Sequence, residues 1–227
     1  MRESDKLLIR GFPLFRGVSD ETFGRIAAAS SIREVQAEAT LLREGEKPSA
    51  LFVLLNGLVE TYASHQHTSA SIAYLRPPAA FIVAAVISDE VQLTSARTLV
   101  PCRILEIPVS VVQSELLQDG DFARAVGLES ALRYRDLVRE LKNQRLRTAP
   151  VRLANWLLIE ANAAGSAAID LPFRKAELAT RLGMSDAHLS RAFAQLRFHG
   201  VSVKGMKVQI DAAKLVEFAH PNQLMDG

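Results

Sequence analysis

RKAELATRLGMSDAHLSRAFAQLRFHG, residues 174–200, carries the most specific local pattern in the chain. Ala179 is small where two helices would cross, Gly183 stands where a tight turn needs positive φ, and Ser185 is placed to cap a new helix. Leu178, Leu182, Leu189, Phe193 and Leu196 supply the apolar positions that lock two helices together. The spacing predicts a helix, a short turn and a second helix. After Gly200, VSVKGMKVQI (201–210) reads as two short strands joined by a Lys204-Gly205 turn, a hairpin wing. The same Ala, Gly and Leu spacing also arises in an ordinary helical hairpin buried in a core. The wing and the clustered cations favour a nucleic-acid reader.

A second helix placed this way lies in a DNA major groove and offers its N-terminal residues to base edges, while neighbouring cations meet phosphates. Asp186, Ala187, His188, Ser190 and Arg191 form the expected reading face. Arg191 is the candidate for a bidentate contact to guanine O6 and N7, and Ser190 can donate to a base or a phosphate. Arg174, Lys175, Arg181 and Arg197 surround the unit, and Lys204 and Lys207 on the wing are expected at phosphates. The partner this predicts is double-stranded DNA.

Upstream, VRLANWLLIEANAA (151–164) is a helical pattern ending at Gly165, and Ala149-Pro150 ends or kinks what precedes it, so a hinge is expected there. Asp121 to about Arg147 reads as one long helix. Gly127, Ala131, Tyr134, Val138 and Leu141 recur along it at helical spacing, which fits packing along a partner helix in a homodimer. A helix inside a monomer core would show the same stripe. A second stripe, Leu128, Leu132 and Leu137, is expected to pack against the chain's own N-terminal domain.

Between Ile32 and Ile107 the texture changes. ATLLRE, SALFVLLNG, LVETYAS, ASIAYL and CRILEI are short and rich in β-formers, with Gly, Pro and Asn between them, as in a β-sandwich or roll. SDETFGRIAAA (19–29) opens on an N-cap residue, Ser19, and sets Phe23, Ile26 and Ala27 on one face of a short helix. Pro108 begins another, VSVVQSELL, which Asp119-Gly120 breaks.

At 227 residues the chain is long enough for two domains with separate cores, and 48% hydrophobic and 23% charged residues are ordinary for a globular protein. A formal charge of +2 means that any basic surface must be local. The single cysteine, Cys102, excludes an intrachain disulfide framework and a multi-cysteine zinc or iron–sulfur site. MRESDKLLIRGF lacks the apolar stretch of a signal peptide and no run of about 18 apolar residues follows, so a cytoplasmic protein with no membrane partner is expected. No Gly-rich phosphate loop, GxSxG or HExxH occurs, and no enzymatic activity is expected.

The order of parts resembles the CRP/FNR family of bacterial transcription regulators. The resemblance is clearest in TLLREGEKPSALFVLLNGLVETY (40–62), SARTLVPCRILEIP (95–108) and GMSDAHLSRAFAQLRFHGV (183–201), and it covers nearly the whole chain. It implies an α+β protein with a β-roll sensor of cyclic-nucleotide-binding type and flanking helices over 1–120, a dimerisation helix over 121–148 and a winged helix-turn-helix over 149–227. It also implies a homodimer whose reading helices enter successive major grooves of a palindromic site about one helical turn apart, with RNA polymerase as a further partner.

Departures from the family pattern bear on the signal. Cyclic-nucleotide-binding members carry a cassette in which Gly-Glu holds the ribose and Arg-Ser the cyclic phosphate. In PPAAFIVAAVISDEVQLTSAR (77–97), Val83 and Ala84 stand at the first pair, and Gln92 and Leu93 stand near the second. A buried phosphate would lack its charge partner, so cyclic AMP is not expected to bind. Nor is the iron–sulfur cluster of the oxygen-sensing members, given one cysteine. What remains is an apolar sensor pocket lined by Phe81, Ile82, Val83, Val86 and Ile87. The SAR-to-PCRILEI stretch and the LSRAF run resemble the subgroup that responds to nitric oxide in denitrification, which implies sensing through haem. Another small hydrophobic ligand, or a pocket filled by its own side chains, fits the same residues. Axial ligands would come from His65, His67, His188, His199, His220 or Cys102, and no spacing singles one out. His65 and His67 read as a hairpin tip, and Cys102 as a buried hydrophobe. In the reader, Ser190 and Arg191 match the family pattern, but Ala187 replaces a glutamate that accepts from cytosine N4, so the target is expected to differ at that base pair.

Overall fold

The computed structural model describes residues 1–66, 68–171 and 174–226, and the chain divides into two compact units, Met1–Arg133 and Tyr134–Gly227. The first unit begins with α1 (Glu3–Arg10) and α2 (Asp20–Ala29). Strands β1 (Ser31–Val35), β2 (Thr40–Leu42), β3 (Ala50–Asn56), β4 (Val59–His65), β5 (Thr68–Leu75) and β6 (Ala79–Phe81) follow. Helix α3 (Val83–Ser88), β7 (Ser95–Thr98), β8 (Cys102–Pro108) and α4 (Val109–Gln118) lead into α5 (Gly120–Leu146), which continues into the second unit. The strands form two four-stranded antiparallel sheets, ordered β1-β8-β3-β6 and β2-β7-β4-β5.

Strand β3 explains the layering. Its side chains alternate, so Leu51, Val53 and Leu55 enter a core shared with the helices, while Phe52 and Leu54 enter a core between the sheets. A central strand covered on both faces reads as an unbroken apolar run, as ALFVLL does. Strand β8 repeats the device, with Leu105 and Ile107 on the helix side and Cys102 and Ile104 between the sheets. Phe52 and Phe81, paired across β3 and β6, stack at 5.4 Å between the two sheets.

Local signals place the helix starts. Ser19 Oγ accepts from the Thr22 amide and caps α2, while Ile26 and Ala27 are buried and Phe23 packs half-buried against the same core. Asp119 caps α5: its carboxylate accepts from the Phe122 amide at 2.9 Å and from Ser19 Oγ at 3.0 Å. These donors hold its carboxyl well down, to about 2.

The long helix corrects one expectation. Leu128 and Leu132 do not pack on the sensor and are 57% and 46% exposed; Leu137, in the second unit, is 61% exposed. Phe122, Val126 and Glu129 are the buried residues, with Phe122 and Val126 in the helix-side core. Spacings of four and three put these on one face, and Leu128 lies about 120° round the helix from Phe122 at 100° per residue. Gly127, Ala131, Tyr134, Val138 and Leu141 are exposed too.

The second unit continues with α6 (Ala149–Ala164), β9 (Ala168–Asp170), α7 (Lys175–Arg181), α8 (Asp186–Leu196), β10 (Val201–Lys204), β11 (Lys207–Ile210), α9 (Ala212–Ala219) and α10 (Gln223–Asp226). Two features differ from the sequence reading. The hairpin turns at Gly205-Met206, one residue later than expected, and β9 pairs with β11 to make the wing three-stranded. The β9 strand is too short for periodicity to show. Among the described residues no helix is long and apolar enough to cross a membrane.

Candidate nucleic-acid interface

Helices α7 and α8 meet over Leu178, Ala179, Leu182, Leu189, Ala192, Phe193 and Leu196, all buried. The turn between them closes through Met184 N–H to Ala179 O at 3.0 Å, with Gly183 at φ +61. A side chain there would be strained by the left-handed backbone. Ser185 then caps α8, its Oγ accepting from the His188 amide. Gly200 ends the segment at φ +83, and a Cβ built on it would lie 2.5 Å from Asp211 Cβ, so only glycine fits.

With one face of α8 locked inward, the opposite face is open. Asp186, Ala187, His188, Ser190 and Arg191 are exposed, as are Arg174 and Lys175 at the start of α7 and Lys204 and Lys207 on the wing. Among the described residues, none of the cations Arg174, Lys175, Arg191, Lys204 and Lys207 is in an ion pair. Lys204 and Lys207 face each other across the wing hairpin. Like charges directly opposite repel, and an anion between them would relieve that repulsion. Arg174 sits at the N-cap position of α7, where its own amide donates to Glu177 at 3.0 Å. His188 is tied to Ser185 Oγ at 3.1 Å, and His199 stacks on Phe218 at 4.1 Å.

Two arginines that sequence reading missed hold the start of this unit. Arg152 donates to Arg147 O at 2.8 Å, to Leu182 O at 3.0 Å and to Gly183 O at 3.3 Å, which ties the α5–α6 junction to the turn before the reading helix. Burial lowers the pKa of its guanidinium below the ordinary arginine value. Arg147 pairs bidentately with Asp226 at 2.5 and 2.7 Å, both side chains largely buried. The contacts lie 30 and 79 residues apart in sequence, so no local pattern reports them.

The sensor residues are not gathered around one cavity. Phe81 belongs to the core between the sheets, Val83 and Val86 belong to the helix-side core, and Ile82 packs against both. Ile87 is 44% exposed. Strand β6 ends at Phe81 and α3 begins at Val83, so Phe81 stays in the core between the sheets, while Val83 and Val86, one turn apart on α3, enter the helix-side core and Ile87, about 100° from Val86, falls at the edge of that face. Ile82 enters it at φ +63, a left-handed conformation costly for a β-branched residue. No basic residue lies between 77 and 96, and Arg97 is paired with buried Glu60 at 2.6 Å. Gln92 is buried, with its Nε2 left without a partner. The residues present therefore do not fit a cyclic phosphate held by a charge pair.

Among the described residues of the first unit, none is placed as an axial haem ligand either. His65 is exposed at the end of β4, His67 lies outside the described residues, and His188, His199 and His220 belong to the second unit. Cys102 is buried and bonded to Val100 O at 3.1 Å, and burial pushes its thiol pKa up, away from the thiolate a metal would need. Among the described residues no group of three or more His, Cys, Asp or Glu side chains could hold a metal ion.

The architecture is that of a two-domain helix-turn-helix protein with a β-roll sensor, and comparison with known proteins agrees. A cyclic nucleotide-binding domain matches residues 32–119 and a Crp-like helix-turn-helix domain matches residues 151–218. The chain belongs to the CRP/FNR family of DNA-binding transcription regulators. Among solved structures it is similar to a protein of Silicibacter pomeroyi DSS-3 described as a cAMP-binding regulatory protein, at 26% identity over 97% of this chain and 100% of that one, with a TM-score of 0.62. A crp/fnr-family transcriptional regulator of Eubacterium rectale shares the fold at a TM-score of 0.75 and 15% identity, over 92% and 99% of the two chains. DNR from Pseudomonas aeruginosa matches at a TM-score of 0.53 and 20% identity, over 96% and 99%. No curated protein matches the chain.

Proposed function

We propose that this chain is a homodimeric, sequence-specific regulator that reads a roughly palindromic DNA site and whose sensor core is filled by its own side chains. The observation that carries the DNA half is the exposed face of α8, with Arg191 free to form two hydrogen bonds to guanine and with exposed cations at the start of α7 (Arg174, Lys175) and on the wing (Lys204, Lys207) of the same unit. The exposed stripe Gly127, Ala131, Tyr134, Val138 and Leu141 supports pairing through α5. Two reading helices then enter successive major grooves, and RNA polymerase is the partner for a regulator so placed. The binding test is a salt titration on palindromic and random duplexes. Affinity should fall linearly in log–log form with salt, with a preference for one palindrome; no salt-sensitive preference for any palindrome overturns the reading.

Val83 and Val86, packed in the helix-side core, support the filled sensor. The cAMP-binding description of the Silicibacter pomeroyi protein points the other way, but the absence of a basic residue between 77 and 96 weighs against carrying it over. Haem-based sensing of nitric oxide rests on resemblance alone. Cyclic AMP should leave the melting temperature unchanged, and haem titration should yield no Soret band; a shift or a band overturns the filled-sensor reading and leaves DNA binding standing.

A further inference from the structure

We propose that the reading helix selects thymine on both sides of a guanine, through the methyl groups of Ala187 and Ala194 flanking Arg191. The proposal rests on the DNA-binding reading above and adds the base chemistry. Leu189, Ala192, Phe193 and Leu196 are the buried residues of α8, and they define its inward face. At 100° per residue, Ala187, Arg191 and Ala194 fall within about 60° of one another on the opposite face. All three are exposed. The centre of the reading surface is thus one guanidinium with a bare methyl on either side, and Ala194 was not among the residues picked out from the sequence.

That surface has a chemical preference. Along the helix axis Ala187 is ~6 Å and Ala194 ~4.5 Å from Arg191 at 1.5 Å per residue. Bases follow one another every ~3.4 Å, so each alanine falls within about two base pairs of the guanine, one on each side. A cytosine or adenine amino group facing an alanine loses its water hydrogen bonds and gains no partner. The thymine C5-methyl is the group on a major-groove edge that gains from an apolar neighbour. A glutamate at position 187 would select the reverse, by accepting from cytosine N4.

The test begins with selection of bound sites from random duplex, followed by replacement of each selected thymine by uracil, which removes only the methyl. We expect thymine within two base pairs on both sides of the guanine. Affinity should drop about threefold to fivefold for each methyl removed, the size of one buried methyl group, with the salt slope unchanged. Ala194→Gly should abolish the thymine-to-uracil ratio on its own side and leave the other side intact. The ratio is read on one folded protein, so a loss of helix stability does not alter it. Ala187→Glu should shift its own side from thymine toward cytosine. Selected sites without flanking thymine, or uracil sites bound as tightly as thymine sites, overturn the proposal while DNA binding stands. Enrichment of no sequence at all overturns the DNA-binding reading, and the proposal with it.

Discussion

Helix α8 in the reader and helix α3 in the sensor are built on opposite plans. In α8, eleven residues give three turns, so one face can be wholly apolar and the other wholly free for chemistry. In α3, six residues give under two turns; Val83 and Val86 are spent on the core, Ile87 is left outside, and no charged group is held toward a ligand. The first element presents function outward on a rigid support. The second presents packing where related sensors present a ligand cassette. Over its three turns α8 keeps one face for packing and the other for solvent, whereas the short α3 puts Val83 and Val86 into the core and presents no charged side chain from the same turns.

The largest effect expected on this comparison is structural. Phe122→Ala, at the fully buried start of α5, should cost about 3–5 kcal/mol in urea unfolding. A smaller loss would mean that α5 is not anchored by its buried face. Next, Arg191→Ala should cost about 1–3 kcal/mol of DNA affinity and relax one base position, measured by competition among site variants. Val86→Ala separates a filled sensor from an open one. In a filled core the loss of two methyl groups should cost about 1.5 kcal/mol of stability, whereas at the wall of an open pocket it should cost almost nothing. Lys204→Ala should weaken all duplexes alike and reduce the salt slope by about 1, without changing sequence preference.

The smallest effect is a pH dependence in the first unit. Asp119, held down to about 2 chiefly by the Phe122 amide, stabilises the fold above the ordinary aspartate range, and that contribution disappears as pH falls toward 2. Melting temperature should therefore fall between about pH 4 and pH 2, and Asp119→Asn, which keeps an acceptor at the cap but does not titrate there, should flatten that fall. An unchanged profile in the variant would assign the acid sensitivity to other carboxylates.

Much of the reader was legible because its rules are local. A positive-φ glycine, a serine cap and an apolar stripe each act within one or two turns, and Gly183, Ser185 and Leu189 stand where those rules put them. The β texture of the sensor was legible for the same reason. The face of α5 turned to the sensor was not, because several apolar stripes share that helix and only contact with the sheet chooses Phe122 and Val126 over Leu128 and Leu132. The sensor residues divide in the same way: Phe81, Val83 and Val86 look alike in sequence, but Phe81 lies on one side of the sheet and Val83 and Val86 on the other.

By itself, then, the sequence determined the starts of α2, α4 and α8, the turn at Gly183, and that Asp186, Ala187, His188, Ser190 and Arg191 face outward, since backbone geometry and helical periodicity decide these over a few residues. Tertiary structure alone decided which of several apolar faces is covered, how Arg152 ties the α5–α6 junction to the turn before α8, and that Phe81 packs between the sheets while Val83 and Val86 pack on the helix side. Those outcomes depend on partners brought together from distant parts of the chain, and no spacing along it encodes them.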